Sequence, residues 1–275
     1  MKQFENVRAL ILDMDGVLWK QDQPIGDLPR IFNIIKSNQY KVTLATNNAS
    51  LSISQYLEKL KKFNVRLNPE EIINSSQVLK QYLFHRFPNG GNLYIIGEEG
   101  LKDTLICDKF RSSEDNVLAV IVGLDQNLNY EKLCRATLLI RGGAAFIATN
   151  ADVTFPTPQG LVPGVGAILA CLEAASSVKP HVVGKPAPEI YIMAMERMGV
   201  KPNETMVVGD RLETDIAGAQ KLGCRTALVL SGVTELSQAQ KWSPPPDLIT
   251  KDLSSLLDIL TNSSSSTITG HNGSQ

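Results

Sequence analysis

Two carboxylates that lie two residues apart mark the first position in the chain where chemistry could take place. Asp13 and Asp15 follow an apolar run, and Gly16, which lets the chain turn, comes directly after them. The run predicts a buried strand over residues 8–13, and open α/β sheets bind ligands in the crevice at the carboxyl ends of their strands. Two like charges this close repel each other unless a cation or a catalytic role keeps them. The alternative is an ordinary turn at a strand end, where Asp and Gly are common.

A polar segment follows the second predicted strand, 41–46. Residues 46–50 read Thr-Asn-Asn-Ala-Ser and precede a predicted helix over 52–63. Hydroxyl and amide groups at this point, together with the partial positive charge of a helix N-terminus, would form an anion-binding site. The alternative is that Ser50 or Ser52 only caps the helix.

A lysine between prolines and a predicted helix is the third candidate. Residues 184–188 read Gly-Lys-Pro-Ala-Pro, and the helix is predicted over 189–198. The ammonium group of Lys185, held in place there, would suit a phosphate as a point charge. The alternative is a solvated surface lysine, which is the commoner situation for this residue type.

A second acidic segment repeats the pattern of the first. Asp210 directly follows a predicted strand over 205–209, as Asp13 follows its own strand. Asp215 lies about one helical turn further on and could cap or support the loop. A carboxylate at the end of a second strand can complete a set of oxygen ligands for Mg²⁺, which binds through a few carboxylates together with water and phosphate.

The elements that must position these residues alternate between strand and helix. The outer parts of the chain have predicted strands at 8–13, 41–46, 205–209 and 225–230, and predicted helices at 28–38, 52–63, 189–198 and 214–222. The middle has its own alternation, with predicted strands at 92–96, 117–122 and 145–148 and predicted helices at 100–106 and 130–141. Such alternation is typical of right-handed crossovers and parallel sheets. It predicts an α/β protein with a second, smaller α/β domain inserted into the first.

We expect the domain boundaries to follow this pattern. Residues 1–78 and 181–260 would form the core, and residues 79–180 would form the insert, because loops accept insertions at low cost. Residues 261–275 are rich in Ser, Thr, Asn and Gly. They have too few apolar side chains to order themselves, so we expect a disordered tail.

Composition and charge exclude several classes of partner. The chain has 275 residues, with 27 Lys and Arg against 28 Asp and Glu, so its net charge is -1. This balance gives no electrostatic reason to expect binding to nucleic acid or to an anionic membrane. The longest apolar run, 117–124, is far shorter than a membrane span, and the acidic residues near the N-terminus argue against an export signal. We therefore expect a cytoplasmic protein whose four scattered cysteines are reduced.

The four candidate segments together resemble the haloacid dehalogenase (HAD) superfamily. In chain order they match its nucleophile motif, its Thr/Ser motif, its Lys motif and its acidic motif. The similarity extends to the NagD-like, para-nitrophenyl-phosphatase-like branch, through residues 46–50, 148–152, 163–167, 184–188 and 209–216. It covers the chain up to about Leu260. The resemblance implies a Rossmann-like parallel-sheet core with an inserted α/β cap domain over the active site.

The resemblance also implies a role for each candidate residue. Asp13 would be the nucleophile that takes the phosphoryl group, and Asp15 the general acid that protonates the leaving oxygen and later activates water. Thr46, Asn47 and Asn48 would belong to the phosphate-holding segment, and Lys185 would steady the phosphate and the nucleophile. Asp210 would bind Mg²⁺ together with Asp13 and the backbone carbonyl of Asp15, with Asp215 in support.

The function implied is Mg²⁺-dependent hydrolysis of a small soluble phosphate monoester, such as a nucleotide, a sugar phosphate or phosphoglycolate, through an aspartyl-phosphate. The alternatives are a phosphomutase or phosphotransferase of the same superfamily and a non-catalytic metabolite sensor. Every substrate shares the phosphoryl group, so we expect the insert to select the ester, with Asn150 and Asp152 near the pocket mouth. A simple turn is the alternative for these two residues. We also expect Trp19 to pack beside the site, with stacking on the substrate as the alternative, and the insert could provide a surface for homo-oligomers.

Overall fold

The structure is a computed structural model, and it describes residues 4–157 and 159–264, without the side chains of 155, 156 and 262–264. The chain divides into two compact units. The first comprises the described residues of Met1–Leu44, Lys61–Arg66 and Ala194–Gln275, and the second comprises those of Ala45–Leu60 and Leu67–Met193.

The described residues form the following elements. The strands are β1 (Ala9–Leu12), β2 (Trp19–Lys20), β3 (Gln23–Pro24), β4 (Lys41–Thr46), β5 (Ile72–Asn74), β6 (Gly91–Ile96), β7 (Phe110–Ser112), β8 (Val117–Val122), β9 (Ala145–Ala148), β10 (Thr154–Thr157), β11 (Gly160–Pro163), β12 (His181–Val182), β13 (Thr205–Gly209), β14 (Arg225–Val229) and β15 (Leu248–Thr250). The α-helices are α1 (Leu28–Ser37), α2 (Ile53–Lys62), α3 (Ser75–Arg86), α4 (Glu99–Leu105), α5 (Tyr130–Arg141), α6 (Val165–Ser176), α7 (Glu189–Met198), α8 (Ala217–Leu222), α9 (Leu236–Ala239) and α10 (Leu253–Ser264).

The sheet of the first unit places the ends of its strands at one edge. Its strands run in the order β15-β14-β13-β1-β4, and all neighbours are parallel. Leu12 at the end of β1 lies opposite Val208 of β13 and Leu44 of β4. All four residues of β1 are buried, as expected for an apolar strand between two others. The residues that follow β1 and β13 therefore leave the sheet side by side.

Helix α1 shows how sequence sets the bounds of these elements. The Asp27 side chain accepts a 3.1 Å hydrogen bond from the backbone N–H of Arg30, which caps the first turn. Leu28, Ile31 and Ile35 recur at helical spacing and form the buried face.

The second unit has a parallel sheet of its own, in the order β12-β9-β8-β6-β7. Helices α5 and α6 pack against it through Ile140, Leu169 and Leu172, which meet Val120 and Phe146 of the sheet. Strands β10 and β11 form a separate antiparallel hairpin. Two parallel sheets with helices between their strands confirm the predicted α/β class.

Two details differ from the expected elements. The segment predicted as a helix over 214–222 begins with one π-helical turn, Leu212–Ile216, before α8. In this turn the N–H of Ile216 donates to the carbonyl of Arg211, five residues earlier. Helix α10 continues to Ser264, so residues 261–264 are helical where a disordered tail was expected; residues 265–275 lie outside the described part of the chain.

The grouping into units also differs from the expected domain bounds. Residues 45–60, 67–78 and 181–193 belong to the same compact unit as residues 79–180. The bounds at 78/79 and 180/181 stay a prediction about where the core gives way to the insert. Within the described ranges, no helix has the length and apolar character needed to cross a membrane.

Candidate active site

An acidic cluster lies at the edge of the first unit's sheet. Asp13 directly follows β1, and its backbone N–H donates a 2.9 Å hydrogen bond to the carbonyl of Val208 in β13. Asp210 directly follows β13, and Asp215 lies in the π-helical turn that comes next. One carboxylate oxygen of each of these three residues lies within 4.8 Å of those of the other two. The parallel pairing of β1 and β13 thus brings together carboxylates that are about 200 residues apart in sequence.

Burial makes this proximity costly unless it is compensated. Asp210 and Asp215 are each only 1% exposed, and Asp13 is 9% exposed. Backbone donors offset part of the cost: Asp210 Oδ2 accepts from the N–H of Val233 at 2.7 Å, and Asp215 Oδ2 accepts from the N–H of Arg211 at 3.2 Å. Like charges held this close and this deep repel one another, so a cation bound among them would stabilise the cluster.

Glycines leave the space that the buried carboxylates occupy. A Cβ atom at Gly232 would lie 1.9 Å from Asp210 Oδ2, and one at Gly16 would lie 2.4 Å from the same oxygen. Gly16 also has a φ of 86°, which L-residues rarely adopt. At Gly209 a Cβ would lie 2.2 Å from the Cβ of Asp215. The glycines at these positions are therefore a steric requirement of the acidic cluster.

The indole ring of Trp19 holds the side chain of Asp15. The Nε1–H of Trp19 donates to Asp15 Oδ1 at 2.9 Å, and the Trp19 ring is buried beside Phe63, with 6.0 Å between ring centroids. Trp19 therefore packs next to Asp15, as expected from the sequence. Packing fixes the buried Trp19 ring, and its hydrogen bond then orients the Asp15 carboxyl group.

The acidic cluster fits Mg²⁺. Its three donors are all carboxylate oxygens, and oxygen is the ligand type that Mg²⁺ prefers. One or two carboxylates usually hold the ion, and waters and phosphate oxygens complete its coordination. Neither thiolate nor imidazole, which favour other metals, belongs to this trio. Asp13, Asp210 and Asp215 are the residues that could hold the ion.

A second polar cluster lies in the second unit, where β4 ends. The Thr46 hydroxyl oxygen accepts from the N–H of Asn48 at 3.1 Å, and Asn48 Oδ1 accepts from both the N–H and the hydroxyl of Ser50, at 3.0 and 2.6 Å. Ser52 caps α2, because its hydroxyl accepts from the N–H of Gln55 at 3.3 Å. The capping considered for Ser52 is thus real, and the side chain of Asn48 builds the turn that leads into the helix.

Lys185 is not a surface lysine. Its side chain is 4% exposed, and its Nζ donates a 2.9 Å hydrogen bond to the carbonyl of Ala45. Asn47 lies against its backbone: Oδ1 accepts from the Lys185 N–H at 2.7 Å, and Nδ2 donates to the Lys185 carbonyl at 3.0 Å. The second unit therefore brings together Thr46, Asn47 and Lys185.

Asn150 and Asp152 lie beside Asn47. The Asn150 side chain donates to the Asn47 carbonyl at 3.0 Å and accepts from the N–H of Asp152 at 3.1 Å. Asp152 Oδ2 accepts from Asn47 Nδ2 at 3.3 Å. Asn150 is 5% exposed and Asp152 is half-buried. Their place near the pocket mouth stays a prediction.

Comparison with known proteins gives a consistent answer. The model of the haloacid dehalogenase-like hydrolases matches residues 10–111, and a HAD-hydrolase-like model matches residues 182–256. The chain is 34% identical to the acid sugar phosphatase of Staphylococcus aureus over 92% of this chain and 96% of that protein. The chain belongs to the haloacid dehalogenase-like hydrolases.

Solved structures place it more narrowly among the HAD phosphatases. NagD of E. coli K-12 superposes with a TM-score of 0.82 at 30% identity, covering 90% of this chain and 97% of NagD. The glycerol phosphate phosphatase of Mycobacterium tuberculosis, solved in complex with magnesium, superposes with a TM-score of 0.84 at 33% identity, covering 92% of this chain and 77% of that one. The resemblance to NagD-like HAD phosphatases, the parallel-sheet fold with an inserted α/β cap and the assignment to hydrolases of phosphate monoesters are confirmed.

Sequence reasoning missed several residues of this HAD site. The hydrogen bond from Trp19 to Asp15 has no spacing signature, because Asp15 lies in the loop after β1 and Trp19 begins the two-residue strand β2. Ser75, whose hydroxyl donates to the Asn47 carbonyl at 2.7 Å, starts a helix that the sequence pattern did not predict. Gly232 and Val233 could have been found, since they follow β14 at the same sheet edge as the residues after β1 and β13.

Proposed function

We propose that this HAD protein hydrolyses a small phosphate monoester with Asp13 as nucleophile and Mg²⁺ as cofactor. The observation that carries this role is the convergence of three buried carboxylates at the ends of β1 and β13, beside an acid that Trp19 holds. Asp13, Asp210 and the backbone carbonyl of Asp15 would hold the ion, with Asp215 in support. When bound, Mg²⁺ would offset the repulsion between a carboxylate and an anionic ester and stabilise charge on the phosphoryl oxygens.

In the first step a carboxylate oxygen of Asp13 attacks phosphorus. An O–P bond forms to Asp13 while the bond between phosphorus and the ester oxygen breaks. Asp15 gives its proton to that oxygen, so the product leaves as a neutral alcohol. Such positioned acid–base catalysis contributes about 10²–10⁴-fold to the rate.

In the second step water attacks the phosphorus of the aspartyl-phosphate. Asp15, now ionised, takes a proton from the water as the O–P bond to Asp13 breaks. Inorganic phosphate leaves, Asp13 is again a carboxylate and Asp15 is again protonated. The same group thus serves as acid and then as base, and no other proton carrier is needed.

Thr46 and Lys185 are proposed to bind the phosphoryl oxygens. A hydroxyl donor and an ammonium group suit an anion whose charge is spread over three oxygens. Lys185 supports this role because its ammonium group is buried where β4 ends and would present a fixed positive charge to an anion there. The hydrogen bond from its Nζ to the Ala45 carbonyl holds the group in place.

Sugar and polyol phosphates are the first substrate class to test. The curated relative at 34% identity is named for sugar phosphates, and a structural relative is named for glycerol phosphate. Nucleotides and phosphoglycolate are the comparison classes. A phosphomutase would return an isomeric sugar phosphate instead of inorganic phosphate, and a sensor would bind the ester without turnover.

The test is release of inorganic phosphate by the purified full chain. Para-nitrophenyl phosphate and a panel of sugar, polyol, nucleotide and carboxylate esters are compared by kcat/KM, with Mg²⁺ and after chelation. Asp13→Asn should abolish turnover and keep the fold, because an amide cannot attack phosphorus as a carboxylate does. The matched control is Asp258→Asn, the same change at an exposed position of α10. Phosphate release at the normal rate by Asp13→Asn would exclude Asp13 as the nucleophile.

A further inference from the structure

The side-chain amide of Asn47 makes hydrogen bonds to both polar groups of the Lys185 backbone. Its Oδ1 accepts from the Lys185 N–H at 2.7 Å, and its Nδ2 donates to the Lys185 carbonyl at 3.0 Å. Only one orientation of the amide satisfies this pattern, because the flipped amide would set a donor against the Lys185 N–H. The arrangement reproduces the pairing of two strands, with an amide side chain in place of a second backbone.

The remaining donor of the amide is also engaged. Asn47 Nδ2 also donates to Asp152 Oδ2 at 3.3 Å, so the amide nitrogen has a protein acceptor for each of its two hydrogens. Asn47 is 7% exposed. These hydrogen bonds hold the neighbours of Asn47 in place, and they leave its amide no donor for a phosphate oxygen.

Asn47 is itself fixed from the other side. Its backbone carbonyl accepts from the Ser75 hydroxyl at 2.7 Å and from Asn150 Nδ2 at 3.0 Å. Gly184 allows the close approach, since a Cβ there would lie 2.6 Å from Asn47 Oδ1. Asn47 is restrained both at its backbone and at its side-chain amide, so it can restrain the backbone of Lys185 in turn.

We propose that Asn47 is a positioning residue that aims the ammonium group of Lys185, and that Asp152 acts through Asn47. This role rests on the proposed function, in which Lys185 binds the phosphoryl group. It replaces direct phosphate contact by the Asn47 side chain, the role expected from the sequence. Fixing the lysine backbone determines where the first atoms of its side chain start, and the bond from Nζ to Ala45 then defines where the side chain ends.

The test is a double-mutant cycle on kcat with the best substrate of the panel. We expect Asn47→Ala to lower kcat by about 10- to 100-fold, since misplacing a catalytic group by an ångström can cost that much. We expect the pair Asn47→Ala with Lys185→Ala to be no slower than Lys185→Ala alone, because there is then no ammonium to aim. Asn92→Ala is the control: it also removes a hydrogen bond from a side-chain amide to a carbonyl of the second unit, and it should leave kcat unchanged.

The outcomes separate this role from its rivals. If Asn47 contacts the phosphate itself, or if its loss merely loosens the unit, Asn47→Ala will lower kcat by the same factor with and without Lys185, and positioning is excluded. If Asn47→Ala does not fold, the cycle is run with Asp152→Ala, which removes a half-buried anchor of the amide. A smaller loss that vanishes without Lys185 supports the role, and an equal loss in both backgrounds or no loss overturns it. A normal kcat for Lys185→Ala would instead contradict the proposed function of the lysine.

Discussion

The indole of Trp19 donates a 2.9 Å hydrogen bond to Oδ1 of Asp15. An indole N–H can only donate, so Oδ1 is the acceptor and the carboxyl group has a defined orientation. Trp19 is 1% exposed and packs against Phe63, so the ring has no freedom to follow a moving carboxyl group. Through this hydrogen bond, the packed rings of Trp19 and Phe63 hold Asp15, the proposed acid of the reaction.

Trp19→Phe should therefore slow the hydrolysis of esters whose leaving oxygen must be protonated more than the hydrolysis of esters whose leaving group departs without a proton. We expect kcat for an alkyl phosphate to fall by about 10- to 100-fold, because misplacing a catalytic group by an ångström can cost that much. The loss for para-nitrophenyl phosphate should be smaller, because nitrophenolate leaves well without a proton. The measurement is the ratio of kcat for the two esters.

Phe63→Leu is the control for Trp19→Phe, since it disturbs the same packing and leaves the hydrogen bond in place. It should lower the thermal stability without changing the ratio. An equal loss on both esters in Trp19→Phe, provided hydrolysis of the aspartyl-phosphate is not rate-limiting, would show that Trp19 only packs.

A methyl group at Gly232 should disable the acidic cluster. The added Cβ would lie 1.9 Å from Asp210 Oδ2, so that carboxylate must move away from its place beside Asp13. We expect Gly232→Ala to raise the Mg²⁺ concentration that gives half-maximal activity by about tenfold or more, the loss seen when the groups that orient a metal ligand are disturbed. The measurement is a Mg²⁺ titration of phosphate release.

Gly223→Ala separates this effect from general loss of stability. Gly223 has a φ of 76°, and a Cβ added there would meet no neighbouring atom within 4 Å. Alanine at this position should cost about 1 kcal/mol of stability from backbone strain alone and leave the Mg²⁺ titration unchanged. Equal titrations for Gly232→Ala and the wild type would mean that Asp210 does not hold the ion.

Ca²⁺ should inhibit the enzyme in competition with Mg²⁺. Ca²⁺ takes more oxygen ligands at longer distances, so it should draw a second carboxylate oxygen into coordination and misplace Asp13. Initial rates at fixed Mg²⁺ and rising Ca²⁺ measure the effect. Full activity after exhaustive chelation of divalent ions would refute a metal-dependent mechanism.

The cysteines should differ in reactivity in a way that reports on folding. Burial raises the pKa of the Cys224 thiol to about 11, and its side chain contacts the sulfur of Met195. Cys171 is exposed. Because the thiolate is the reactive form, a thiol reagent near neutral pH should modify Cys171 in the native protein and Cys224 only after unfolding. Mass spectrometry of labelled peptides checks this order, and rapid labelling of native Cys224 would contradict its burial.

Two kinds of pattern predicted elements at the right residues. Helix α5 has apolar side chains at helical spacing, and strands β8 and β9 are short, continuous apolar runs with clear ends. Helices α3 and α6 were not predicted. The faces of α3 differ little, with buried Ser75 and Ser76 among its apolar residues, and α6 is apolar over much of its surface, so neither shows a helical repeat of polarity.

The acidic cluster could be predicted from the sequence, because the carboxyl ends of parallel strands meet at one edge of a sheet. That rule, applied to Asp13 and Asp210, predicts their proximity from two short motifs. The second cluster was only partly predictable. Sequence places Asn47 and Lys185 in separate motifs, and the hydrogen bonds between them depend on the backbone path near Gly184.

The most direct measurement is to trap the enzyme during turnover and locate the phosphoryl group. The full chain is mixed with its best ester and Mg²⁺, quenched in acid within milliseconds, digested and analysed by mass spectrometry. We predict one added phosphoryl group on the peptide that contains Asp13, lost on brief treatment with base or hydroxylamine and absent from Asp13→Asn. Turnover at the full rate with no phosphorylated Asp13, or with the group on another residue, would contradict the account.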